Sequence, residues 1–191
     1  MEKTNKLIIL DRDGVINHDS DTFIKSPDEW HPIPGSLQAI AKLNQAGYLV
    51  VVATNQSGVG RKLFDTSTLN AIHQKMHHAA QQVGAEIDAV FFCPHIADDN
   101  CDCRKPKSGM LREIAQRYDI SLKGVHNVGD SLRDLQAGFV EGCVPHLVLS
   151  GKGKKTFDKG GLPPGTQIYP DLASMVDILL KNAPAEFFVA V

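Results

Sequence analysis

The sequence predicts a doubly wound α/β fold around a mostly parallel sheet. Three observations carry that expectation: five short runs apolar on both faces, helical periodicity between them, and polar residues where three of the runs end. Strands buried on both faces read as continuous apolar runs, which is what a parallel sheet covered by helices requires. Alternation of strands with helices gives the doubly wound arrangement.

The runs are Lys-Leu-Ile-Ile-Leu at 6–10, Tyr-Leu-Val-Val-Val-Ala at 48–53, Ala-Val-Phe-Phe at 89–92, Gly-Val-His-Asn-Val at 124–128 and Val-Pro-His-Leu-Val-Leu at 144–149. Helices are expected between them. Residues 36–46 place Leu37, Ile40, Ala41 and Leu43 on one stripe and stop at Gly47, a residue suited to a helix C-terminus. Residues 66–83 do the same with Leu69, Ile72, Met76 and Ala79/Ala80 before Gly84. Further helices are expected at 109–118, 131–139 and 172–180. Residues 151–168, rich in Gly, Lys and Pro, read as a loop. The tail after Ala183 either packs on the body or frays. No internal repeat divides the chain, and residues 1–191 are expected to form one domain.

Composition bounds the function. The chain has 191 residues, 42% of them apolar and 22% charged, within the globular range. A net charge of −2 gives no basic surface for nucleic acid or an anionic membrane. No apolar run approaches the ~20 residues of a membrane span. The polar start runs straight into a short apolar segment, unlike a signal peptide, so the cytoplasm is the expected compartment. Oligomeric state is open, with a monomer acceptable.

Ligands of open α/β sheets bind at the carboxyl ends of strands. Asp11, Thr54-Asn55 and Asp130 all fall there, so residues distant in sequence are expected to meet at one edge. Asp11 and Asp13, two apart, would project the same way from a strand. Gly14 permits the turn that follows. Clustered carboxylates repel without a cation, and oxygen ligands suit Mg²⁺. A carboxylate can also attack phosphorus, and a second can pass protons to the leaving oxygen and from water. An ordinary polar turn would explain Asp11 and Asp13 alone; Asp130 at the same edge favours a site. Asp134, one helical turn on, either backs a metal or only favours the helix dipole. Thr54, Asn55, Gln56, Ser57 and Gly58 follow the second run. Hydroxyl and backbone N–H groups there can hold phosphate oxygens, although such residues also make plain turns and caps. Arg104-Lys105-Pro106 is either a solvated basic pair or a charge partner for phosphate.

Cys93-Pro-His95 and, after five residues, Cys101-Asp-Cys103 supply three thiolates and an imidazole. That set fits a closed tetrahedral Zn²⁺ site that orders a loop rather than doing chemistry, with unrelated free thiols as the alternative. In a reducing compartment such a cluster favours a metal over a disulfide. His77, His78, His126 and His146 read as structural or surface groups.

Together, Leu10-Asp-Arg-Asp-Gly14, Thr54-Asn55, Lys105 and Gly129-Asp130 resemble the four motifs of haloacid dehalogenase-like phosphatases. The Cys-x-His…Cys-x-Cys-Arg-Lys-Pro loop resembles a zinc-containing branch of them. The resemblance covers about residues 6–150 and implies an Mg²⁺-dependent phosphatase without a large cap domain. It implies Asp11 as nucleophile and Mg²⁺ ligand, Asp13 as general acid/base with its backbone carbonyl on Mg²⁺, and Asp130 as the third protein ligand. It implies Thr54 and Lys105 on the transferring phosphate, with Arg104 and Asn55 helping to hold substrate. Cys93, His95, Cys101 and Cys103 would bind Zn²⁺. The segments 54–61 and 107–111 look more like the branch members that act on a heptose bisphosphate, taking its C7 phosphate, than those that act on histidinol phosphate, which remains the alternative. Arg61 suits a second phosphate. The zinc loop and residues 57–64 would then select the substrate. Val15, where the family has Thr, is a mild departure. A phospho-receiver signalling module would share the acids, Mg²⁺, hydroxyl and Lys, but Asp13 is placed to release phosphate that a switch must keep. A zinc-ordered interaction protein with a relic site is disfavoured by four intact motifs.

Overall fold

The computed structural model describes residues 6–182. Its six strands are β1 (Lys6–Leu10), β2 (Tyr48–Asn55), β3 (Ala89–Cys93), β4 (His126–Gly129), β5 (Val144–Val148) and β6 (Gln167–Tyr169). They form one sheet in the order β3-β2-β1-β4-β5-β6, with every pairing parallel. The order reverses between β1 and β4, the switch point at which doubly wound sheets open a crevice. The helices are α1 (Ser36–Gln45), α2 (Ser57–Gly60), α3 (Thr66–Gln81), α4 (Gly109–Tyr118), α5 (Leu132–Val140), α6 (Gly153–Lys159) and α7 (Leu172–Asn182).

Alternation along the central strands builds two cores. Ile8, Leu10, Val50 and Val52 face Ile40, Ile72, Met76 and Met175 of α1, α3 and α7. Leu7, Ile9, Val51 and Ala53 face Met110, Leu111, Ile114 and Ala137 of α4 and α5. Successive side chains leave a strand on opposite faces, so each apolar run feeds both layers. Every element expected between residues 6 and 149 is present, with ends shifted by up to two or three residues.

One expectation is corrected. Residues 151–168 are not a continuous loop but carry α6 and the start of the edge strand β6. The helix has little apolar periodicity to betray it, and its one large apolar residue, Phe157, is exposed. It is fixed by tertiary contacts instead. The Thr156 hydroxyl donates to the Asp130 carbonyl at 2.8 Å, and a side chain at Gly153 would overlap the Val148 carbonyl. At three residues, β6 is too short to show a period. The expectation for the tail after Ala183 lies outside the described residues. Among the described residues, no helix is long and apolar enough to cross a membrane.

Candidate active site

The carboxyl ends of β1, β2 and β4 open onto a cavity of ≈ 260 Å³. Asp11, Asp13, Thr54, Asn55, Gln56, Ser57, Arg61, Arg104, Lys105, Asp130 and Asp134 all line it. Every residue expected at the reaction centre therefore reaches one place, although the chain separates the first from the last by more than a hundred positions.

Asp11, Asp130 and Asp134 bring one carboxylate oxygen each within 4.8 Å of the others. Close approach at Asp130 is possible because Gly14 and Gly151, both at positive φ, leave room; a Cβ on either would overlap its Oδ2. Burial and the facing Asp134 push the Asp11 carboxyl up to about 7, with Lys105 offsetting only part. Burial, Asp134 and Asp11 push Asp130 up to about 8. Burial opposes ionisation of Asp134 too, but Lys105 and Ser131 hold its carboxyl below the ordinary range. Three acids in mutual repulsion, two of them buried and all offering oxygen only, are a donor set that fits a hard divalent cation.

Asp134 makes two sets of contacts. Its Oδ2 accepts from the backbone and hydroxyl of Ser131 and caps α5, and its Oδ1 takes the Lys105 ammonium at 2.6 Å. Lys105 is buried and gives its remaining protons to Asp11 Oδ1 at 3.1 Å and the Ala53 carbonyl at 2.7 Å. Burial works against its charge, but the two carboxylates outweigh that and raise its pKa.

Asn55 is spent on locating that lysine. Its amide donates to the Lys105 carbonyl at 3.0 Å and accepts from the Lys105 N–H at 3.1 Å. Thr54 Oγ1 accepts from Gln56 Nε2 at 3.0 Å, which leaves the hydroxyl proton to point at a ligand.

The Asp13 carboxylate is not part of the acidic cluster. It is met by Arg12 Nε and Nη2, both at 3.0 Å, by Asn17 Nδ2 at 2.8 Å and by Gln56 Nε2 at 2.9 Å. Two donors on each oxygen fix its orientation and leave its main-chain carbonyl as the only group it can offer to a cation.

Beside the cavity mouth, the Sγ atoms of Cys93, Cys101 and Cys103 and the Nδ1 of His95 lie 3.1–3.6 Å apart in the five closest pairs. None of the cysteines is in a disulfide. Four soft donors at that spacing match the edges of a small tetrahedron and suit Zn²⁺. Arg104 Nη1 donates to the His95 carbonyl at 3.1 Å, tying the cluster to the segment that carries Lys105.

Sequence reasoning missed Arg133 and Lys152, which also line the cavity, and the 19–24 segment opposite them. Lys152 bridges to Asp19 at 2.8 Å and to Asp21 at 3.4 Å, while its backbone N–H holds Asp130 Oδ2 at 2.7 Å. The Gly-Lys-Gly run at 151–153, just past a strand end, was the available signal. Arg133, Arg61 and Arg104 are close enough that the other two depress the pKa of Arg104, after its own burial.

Residues 6–137 match the family model for polynucleotide kinase 3 phosphatase, and residues 102–175 match the HAD-hydrolase-like model. The D-glycero-beta-D-manno-heptose-1,7-bisphosphate 7-phosphatase of Bordetella bronchiseptica is 63% identical, over 93% of this chain and 99% of the relative. The enzyme of that name from Neisseria meningitidis serogroup A is 52% identical, over 94% and 97%. The crystal structure of D,D-heptose 1,7-bisphosphate phosphatase from B. bronchiseptica, complexed with magnesium and phosphate, superposes with a TM-score of 0.92 at 63% identity. It covers 93% of this chain and 99% of that one.

Proposed function

This chain belongs to the D-glycero-beta-D-manno-heptose-1,7-bisphosphate 7-phosphatase family of haloacid dehalogenase-like phosphatases, and from that premise we propose that it hydrolyses the C7 phosphate of the heptose bisphosphate. The observation that carries the reading is the union in one cavity of the acid triad, Lys105 and an Asp13 held in a fixed orientation.

Asp11 attacks phosphorus: an Oδ–P bond forms, the P–O bond to C7 breaks, and Asp13, protonated on an oxygen that one of its four donors has released, gives that proton to the departing sugar oxygen. Water then attacks the same phosphorus, Asp13 takes its proton, and the Asp11 carboxylate is released with inorganic phosphate. Lys105 and the Thr54 hydroxyl hold the phosphoryl oxygens. Asp11, Asp130 and the Asp13 carbonyl would hold Mg²⁺, backed by Asp134; the ion supplies positive charge against the phosphoryl group. Cys93, His95, Cys101 and Cys103 would hold Zn²⁺ and keep Arg104 and Lys105 in place. Arg61 and Arg104, with Arg133, are suited to the second phosphate, and Gln56 and Ser57 to the sugar side of the cavity. Unpaired thiols fit a reducing compartment, and we place the protein in the cytoplasm with no nucleic-acid or membrane partner.

Phosphate release from a panel tests this: heptose 1,7-bisphosphate, histidinol phosphate, a 3′-phosphorylated oligonucleotide and an alkyl monophosphate, each with Mg²⁺ and with chelator. Preferred turnover of the heptose bisphosphate, ended by chelation, is the expected outcome. Preference for histidinol phosphate would keep the chemistry and replace the substrate. A single phosphate taken up without turnover would instead fit a receiver module.

A further inference from the structure

We infer that His73 of α3 is a positioning residue for this hydrolysis: its imidazole holds the Arg12 guanidinium, and Arg12 in turn holds Asp13 where it exchanges protons. The inference rests on the assignment of Asp13 as proton donor and acceptor.

The chain of contacts is short and buried. Arg12 is 0% exposed. Two of its nitrogens form a fork on the two oxygens of Asp13, and its third, Nη1, lies 3.2 Å from His73 Nε2. Arginine only donates, so Nε2 must be the unprotonated ring nitrogen and the imidazole neutral. A buried guanidinium left with an unpaired N–H loses the desolvation cost of that group, and it relieves the loss by turning. Turning would carry the fork, and Asp13 with it.

His73 itself has little freedom. It is 8% exposed and flanked on its helix by the fully buried Ile72 and Met76. Its ring is tilted against Phe92, with centroids 6.1 Å apart. Burial, then the charge of Arg12, push its pKa down to about 3, which keeps the ring an acceptor under ordinary conditions. Neither His73 nor Arg12 lines the cavity, so both act through Asp13.

The two halves of the prediction are substrate-dependent. A sugar alkoxide needs a proton to leave, whereas p-nitrophenolate leaves without one. With heptose 1,7-bisphosphate, His73→Leu should lower kcat about tenfold with KM unchanged, since misplacing a catalytic group costs rate rather than binding. With p-nitrophenyl phosphate the loss in kcat/KM, which reports only the steps up to departure of the leaving group, should be much smaller; the later attack by water needs Asp13 with either substrate and slows alike. His73→Gln, whose side-chain carbonyl can accept from Arg12, should recover most of the rate. Equal losses of kcat/KM on both substrates, or a Gln variant as slow as the Leu variant, would overturn the inference. If His73→Leu does not fold, His73→Asn, whose amide stops short of Arg12, replaces it in the same comparison. Asp13→Asn run alongside separates the two levels. A leaving-group-selective loss there, with none in the His73 variants, overturns the role of His73 alone; no selective loss in Asp13→Asn overturns both assignments.

Discussion

The acids Asp11, Asp130 and Asp134 stand on the ends of β1 and β4 and the first turn of α5. In the thiolate cluster only Cys93 belongs to a strand; His95, Cys101 and Cys103 are carried by irregular chain. The acid cluster is placed by the sheet whatever it binds, and its internal repulsion is built in by burial. The thiolate cluster has little regular backbone to hold it, so its geometry depends on the metal it suits. Removing a ligand should therefore act oppositely in the two regions: on chemistry with the fold kept at the strand ends, on the fold of the loop first at the zinc site.

The largest effect expected is that of Asp11→Asn. Phosphate release should fall by at least about a thousandfold, because the nucleophile is gone. Thermal stability should hold or rise, since one of three repelling carboxylates has been neutralised. A calorimetric midpoint well below that of the parent would show that the acid cluster supports the fold after all, and would erase the contrast.

Cys101→Ser comes next. Zinc content by elemental analysis should drop and the melting midpoint fall. Because Arg104 is tied to the His95 carbonyl, activity should fall with them, by about 10–100-fold. Unchanged zinc content would remove the thiolate cluster from the account.

Gly14→Ala sharpens the comparison from the other side. At φ +83 with Asp130 against it, the added methyl must displace the carboxylate or the turn. It should lower both activity and stability, the latter by about 1–3 kcal/mol in denaturant titration. A fully active, fully stable variant would mean that the approach of β1 to Asp130 is looser than described.

The smallest effect is expected from Asn55→Ala. It removes two bonds to the Lys105 backbone and should cost about 1–2 kcal/mol of stability. Activity should fall modestly, with kcat affected more than KM.

What the sequence made legible follows from the same contrast. Asp11, Thr54 and Asp130 could be placed together because apolar runs mark strands and strand ends in a parallel sheet share an edge. The thiolate ligands were legible because their spacing is local. The double duty of Asp134 was not, since capping Ser131 and pairing with Lys105 are equally compatible with its position one turn into a helix. The Arg12–His73 contact joins a strand end to the middle of α3, 61 residues apart, and no periodicity or motif records such a pairing. Likewise α6 and Lys152 are held by contacts to Asp130 and the 19–21 segment, in a stretch whose composition alone spells a loop.

The central claim is that Asp11 takes the phosphoryl group before water does. Its most direct test is the stereochemistry at phosphorus, using a heptose bisphosphate whose C7 phosphate is replaced by a phosphorothioate made chiral with two oxygen isotopes, hydrolysed in water that carries the third. Two successive in-line displacements, first by Asp11 and then by water, predict net retention of configuration in the released thiophosphate; inversion would mean that water attacks directly and would contradict the account.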